Sequence, residues 1–164
     1  MATGITVRPL STFECADSGC NYAATVTADA LTTTATATAQ TLTIVSLKAG
    51  DAIDRVFWRL KTTFQDASDA AFNTDTMSIG DTATGVAKWI AAKEVNENGT
   101  EILYFANFVG GTVYTAADSF TMTFNSQTGK ALNDLDTGEV ELYFHLVRAS
   151  RLEKATTAIP ITTK

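Results

Sequence analysis

A single histidine, His145, stands among the 164 residues, so chemistry built on paired histidines or a histidine-rich metal centre is excluded at the outset. Cysteine is nearly as scarce. Cys15 and Cys20 lie together in Glu14-Cys15-Ala16-Asp17-Ser18-Gly19-Cys20, and a metal site there would need two further ligands. The pair reads as two reduced thiols, with a short-loop disulfide or a metal site as the alternatives. There is no Gly-x-Ser-x-Gly turn, no glycine-rich phosphate loop followed by lysine and no His-Glu-x-x-His segment. No nucleophile stands beside its base in the sequence, and neither an enzymatic activity nor a cofactor is expected.

Positive charge is also in short supply. Twelve basic residues face 18 acidic ones, for a net charge of −6 and a pI near 4.6. Binding to nucleic acid draws on lysine and arginine to displace counterions, so nucleic acid is not an expected partner. The same shortage argues against an anionic membrane surface. No apolar run approaches the roughly 20 residues needed to span a bilayer. Residues Met1 to Ile5 lack the basic and apolar regions of a secretion signal, so a soluble protein made in a cytoplasm is expected.

What is present is threonine, alanine and a set of alternating patterns. Hydrophobic residues make up 45% of the chain and charged residues only 18%, which suits one domain with a core of its own. Threonine's branched Cβ favours extended backbone, and only two prolines interrupt it. Up to about Gln40, large apolar side chains are few, and Thr32 to Ala39 alternate threonine with alanine. Residues 1–40 are therefore expected to form an extended segment or arm that rests on something else, anchored by Ile5, Val7 and Leu10.

Strands follow. Leu42 to Leu47 reads as a strand buried on nearly both sides, and Lys48-Ala49-Gly50-Asp51 as a turn. Val56, Trp58, Leu60, Thr62 and Phe64 share one face of the clearest strand, with Phe57, Arg59, Lys61 and Thr63 opposite. A polar loop (65–75) leads to a short strand, Thr76 to Ile79, closed by Gly80-Asp81. Over Gly85 to Glu97 the spacing of Val86, Trp89, Ile90 and Lys93 predicts a helix stopped at Asn98-Gly99, a dipeptide that also signals a hairpin.

Strand character returns at Glu101 to Val109, with Gly110-Gly111 as a turn into Thr112-Val113-Tyr114. Phe120, Met122 and Phe124 alternate next. The last strand, Glu139 to Val147, sets Val140, Leu142, Phe144 and Leu146 against Glu141, Tyr143 and His145. The spacing describes an all-β protein, an antiparallel sandwich of jelly-roll type spanning residues 41–149, with at most one short helix. The tail, 150–164, holds Ala158-Ile159-Pro160-Ile161. Proline between two isoleucines suits an edge strand or a docking arm across a neighbouring subunit, and an unstructured tail is the alternative.

Candidate functional residues are few. Asp51 with Asp54, Asp66 with Asp69, and Asp134 with Asp136 are local pairs in turns, where aspartate caps backbone groups without catalytic chemistry. The loop with Asp66, Asp69 and Asp75 lacks the spacing and glycine of an EF-hand. Asn98-Gly99-Thr100 matches the glycosylation pattern, a coincidence in a chain without a secretion signal. Trp58 falls in step with the core. Trp89 is less committed and becomes an interface candidate, together with Ile5, Val7, Leu10, Ile159 and Ile161.

Several stretches carry a resemblance: Leu42-Thr43-Ile44-Val45-Ser46-Leu47-Lys48-Ala49-Gly50-Asp51-Ala52-Ile53, then Val56-Phe57-Trp58-Arg59-Leu60 and Thr63-Phe64, Met77-Ser78-Ile79-Gly80-Asp81, Tyr114-Thr115-Ala116-Ala117-Asp118, and Gly138 to Phe144. In these the chain resembles the small β-sandwich proteins that decorate or cement the heads of tailed phages. The resemblance covers Leu42 to Val147 and leaves out the first 40 residues and the last 15 or so. It implies a protein on the outer surface of an assembled head, bound to the major capsid protein and often a homotrimer, that stabilises the shell by bridging capsomers. It carries no catalytic residues over. A carbohydrate- or receptor-binding β-sandwich of a phage tail or adhesin is the alternative, and would require an exposed aromatic platform.

Overall fold

The computed structural model describes residues 4–96, the backbone of 102–105, and 112–150. Ten strands are described: β1 (Ile5–Pro9), β2 (Tyr22–Thr27), β3 (Ala39–Leu47), β4 (Ala52–Gln65), β5 (Thr76–Asp81), β6 (Gly85–Glu94), β7 (Ile102–Phe105), β8 (Thr112–Val113), β9 (Asp118–Asn125) and β10 (Thr137–Val147). One α-helix, α1 (Thr12–Ser18), joins β1 to β2. Single 3₁₀ turns lie at Ala28–Ala30 and Leu132–Asp134.

The strands form two antiparallel sheets. The first runs β1-β2-β10-β4-β7, with β8 also on β4, and the second runs β3-β9-β5-β6. Setting aside β1 and β8, each sheet has four strands, and successive strands switch sheets, except at the β5–β6 pair, in the double Greek-key order of a jelly roll. The sandwich expected from the alternating patterns is thus present. One hydrophobic core fills the space between the sheets, with Trp58, Phe64, Phe120, Phe124 and Phe144 entirely buried. β10 lies at the centre of the first sheet, between β2 and β4, and turns Val140, Leu142, Phe144 and Leu146 inward.

Residues 5–31 are not a separate arm. β1 and β2 form a hairpin-like pair that extends the first sheet, with Ile5 opposite Val26 and Val7 opposite Ala24. Ala23, Ala24 and Val26 are buried beside β10 despite their size, and Tyr22 of the same strand stacks on Phe144. Helix α1 begins in a full capping box: Ser11 accepts the Glu14 N–H, and the Glu14 carboxylate accepts the Ser11 N–H at 2.9 Å. Gly19 ends it in the left-handed conformation at φ 65°, which a side chain resists. Both cysteines are free thiols at this corner.

The helix read over 85–97 is a strand where the structure describes it. β6 pairs antiparallel with β5, and the register slips twice, between Met77 and Ile79 and between Ile79 and Asp81. Extra residues accommodated at such bulges turn consecutive side chains inward. Trp89 and Ile90 are both buried while Val86 is exposed, and this broken alternation imitates helical spacing. Two smaller corrections have the same cause. Thr62 is exposed although it follows Val56, Trp58 and Leu60 in step, because the β4–β10 register shifts between Glu139 and Val140. β3 buries only one face (Leu42, Ile44, Leu47) and leaves Thr41 and Thr43 exposed, since it is a sheet-edge strand with a slip between Thr43 and Val45. Gly110-Gly111 lies outside the described residues.

Candidate functional site

The loops gather at the two ends of the sandwich, and each end is tied by buried aspartates. At one end Asp75 links three segments. Its N–H donates to Asn96 Oδ1, its carbonyl accepts the Val95 N–H at 3.0 Å, and its Oδ1 accepts the Gln127 N–H at 2.8 Å. Asn96 Nδ2 in turn donates to the Phe64 carbonyl at 2.7 Å. Nearby, Lys130 pairs with Asp69, and the Asp66, Asp69 and Asp136 carboxylates accept the N–H groups of Ser68, Ala71 and Ala67. These are backbone-capping roles of the kind expected for turn aspartates.

Asp75 is fully buried and its Oδ2 meets no donor among the described residues. Burial pushes its carboxyl up to about 6, against the opposing bonds from Gln127 and Asn96. Its folded-state value is above the unfolded one, so its contribution to stability is complete below pH ~4 and is lost as pH rises through about 6. A shift of this size corresponds to about 3 kcal/mol. Urea unfolding between pH 5 and 7 is expected to show stability falling with rising pH. Asp75→Asn keeps an acceptor for Gln127 and is expected to flatten that slope; an equally steep slope in the variant would rule the assignment out.

At the opposite end Asp51 accepts the Lys48 N–H at 3.0 Å, Arg148 Nη1 at 2.7 Å and the Ala149 N–H at 3.2 Å. Arg148 Nη1 also donates to the Ser46 carbonyl at 2.9 Å. A cleft of about 550 Å³ opens here, lined by Tyr22, Ser46, Lys48 and Arg148 among others. Asp81, the last residue of β5, collects Thr84, Lys88 and Tyr114 around one carboxylate.

The outer face of the first sheet is a ladder of cross-strand pairs. Arg59 meets Glu141 and Lys61 meets Glu139, each at 2.8 Å, and Phe57 stacks on Tyr143 at 4.8 Å. His145 Nδ1 lies 2.7 Å from Asp54 Oδ1, a spatial partner that 91 residues of separation hide from the sequence. Cys20 is buried, which pushes it up to about 12 and keeps it protonated at neutral pH. No group of three or more potential metal ligands occurs among the described residues.

The sequence-derived interface candidates that lie among the described residues do not stand on an open surface. Ile5 and Val7 are half-buried against the main core, because the hairpin register turns them inward. Leu10 is buried under α1 with Cys20 and Ala23, and Trp89 is buried in the core. Ile159 and Ile161 lie outside the described residues. Among the described residues, the large apolar side chains that are exposed are Phe13 on α1, Val86 and Val113. Phe13, 76% exposed on a capped helix, was the surface residue most open to detection, since α1 has a clear capping box in the sequence.

The fold defines a jelly-roll sandwich, a class that serves viral capsids and lectins alike. No family model matches the chain, and no curated protein does. Among solved structures it is similar to a chain of the cyanophage Pam1 capsid asymmetric unit, with TM-score 0.52 and 16% identity over 88% of this chain and 89% of that one. It also aligns with a chain of the acid-stable capsid of Helicobacter pylori bacteriophage KHP30, at TM-score 0.41 and 10% identity over 87% of this chain and 96% of that one. At 16% identity the likeness to the cyanophage chain is one of fold.

Proposed function

We propose that the protein is a structural component of a phage virion, and specifically a decoration or cement protein of the head. In this reading it binds the major capsid protein on the outer surface, associates with itself as a homotrimer, and stabilises the shell by bridging capsomers. The observation that carries it is the fold shared end to end with the cyanophage capsid chain, which leaves neither chain with a large unmatched domain. The polar clusters support it, since nearly all of their charges are spent on capping and cross-strand pairs inside the fold. Such a protein acts through buried interface area, on the order of 1,000 Å² or more per partner.

The receptor- or carbohydrate-binding alternative would require an exposed aromatic platform. Trp58 and Trp89, its best candidates, are both in the core. Two measurements test the proposal. Purified protein mixed with undecorated heads is expected to co-sediment with them at a fixed stoichiometry and to raise their resistance to heat. Light scattering on a sizing column is expected to give the mass of a trimer. Absence of binding to heads, with binding to glycans instead, would overturn the proposal.

A further inference from the structure

The edges of the two sheets are not equally protected. An open strand edge invites pairing with other chains, and proteins blunt it with charge, proline or shortness. β1 is five residues long, carries Arg8 and ends in Pro9. β6 carries Lys88, Lys93 and Glu94. β3 has none of these protections. Its nine residues, Ala-Gln-Thr-Leu-Thr-Ile-Val-Ser-Leu, hold no charge and no proline. One side of β3 pairs with β9 along its whole length, and among the described residues no strand pairs with the other side. Thr41, Thr43 and Ser46 are exposed. A long, uncharged, β-branched edge of this kind is a template for strand addition.

The anchoring of the C-terminal strand indicates what fills it. Arg148 and Ala149 are fixed to Asp51 and the Ser46 carbonyl, so the chain leaves the sandwich beside the Leu47 end of β3. Residues 151–164 follow, and at about 3.3 Å per residue they reach roughly 45 Å when extended. Their start is charged (Arg151, Glu153, Lys154), whereas Ala158-Ile159-Pro160-Ile161-Thr162-Thr163 is uncharged and rich in β-branched residues. Ala149 and Ser150 are helical, so β10 does not run on directly into a strand on the chain's own β3. A neighbouring molecule has no such constraint. Pro160 fits an added strand because its missing N–H can face outward while Ile159 and Ile161 donate inward.

We propose that the free edge of β3 is a strand-addition site and that its occupant is residues 158–163 of a second copy of this chain. Tail-to-edge contact is heterologous, so repeating it around a symmetry axis closes a ring, which suits a trimer. The inference rests on the assembly reading above, but its test needs no phage head. In light scattering the wild-type chain is expected to self-associate. Thr43→Lys, at an exposed position, and Ile159→Asp/Ile161→Asp, outside the described residues, are each expected to weaken that association at least tenfold, with thermal unfolding of the monomer unchanged. A synthetic peptide of residues 155–164 is expected to dissociate the wild-type oligomer. A wild-type monomer at all concentrations, an oligomer indifferent to both variants, or an ineffective peptide would overturn the inference. Wild-type protein that binds heads without self-associating would overturn this inference alone and leave the head-surface reading standing.

Discussion

Replacing Phe144 by alanine is expected to cost the sandwich about 3–5 kcal/mol, close to the whole stability of many domains of this size. Phe144 is wholly buried on β10, the strand that both neighbours of the first sheet depend on. Its ring stacks on Tyr22 at 5.6 Å and meets Phe120 of the second sheet, tilted, at 5.1 Å. The substitution therefore removes an apolar side chain, two aromatic contacts and a contact between the sheets, and leaves a cavity that backbone paired on both sides cannot collapse. Val113→Thr, at a side chain 63% exposed, is the control and is expected to change stability by less than about 0.5 kcal/mol. Equilibrium urea unfolding of both variants checks this. A loss below about 1 kcal/mol for Phe144→Ala would mean that the two sheets do not share one core.

The parts of the fold that were legible in the sequence are those where alternation runs unbroken. β10 keeps period two from Val140 to Leu146, and β4 from Val56 to Leu60, so their inner faces could be read directly. The misreadings gather where register slips. At β6, bulges set Trp89 and Ile90 side by side in the core, and a strand took on the spacing of a helix. The first 40 residues misled for another reason. Alanine buries little area, so β2 looked too weak to be a core strand, yet Ala23, Ala24 and Val26 are buried beside β10.

The candidate surface was less legible than the fold. Ile5, Val7, Leu10 and Trp89 were singled out as apolar residues without an evident core, but a single strand cannot show which face its partner will bury. Asp51 and Asp54 could be noted as a local pair, while their partners could not, because those lie far along the chain: buried Asp51 meets Arg148 across 97 residues, and half-exposed Asp54, inside β4, meets His145 across 91. Edge status follows from the topology alone. The uncharged character of β3 was visible in the sequence, but its meaning depends on knowing that no described strand covers it.

Asp81→Asn is the electrostatic counterpart of the core substitution, with an expected loss of about 3–5 kcal/mol. The Asp81 carboxylate is completely buried. Its Oδ1 accepts both the N–H and the hydroxyl of Thr84 at 2.7 Å, and its Oδ2 accepts Lys88 Nζ at 2.7 Å and the Tyr114 hydroxyl at 3.0 Å. Burial alone would raise its pKa, but Lys88, Thr84 and Tyr114 together outweigh burial and hold it below the ordinary carboxylate value. Asparagine keeps the shape and removes the charge, which strands the Lys88 ammonium, itself only 18% exposed, against the rings of Trp89 and Tyr114. Adding Lys88→Met should therefore recover much of the loss, and the double-mutant cycle is expected to show a coupling of about 1–3 kcal/mol. The sign of the pH dependence follows from the depressed pKa. The stabilisation by Asp81 is present above pH ~4 and is lost as pH falls through its folded-state value, so the wild type should lose more stability than Asp81→Asn on acidification. Urea unfolding of the four proteins at pH 7 and pH 3 measures both effects. Additive single substitutions with parallel pH profiles would show that this carboxylate does not hold the β5–β6 turn to Tyr114.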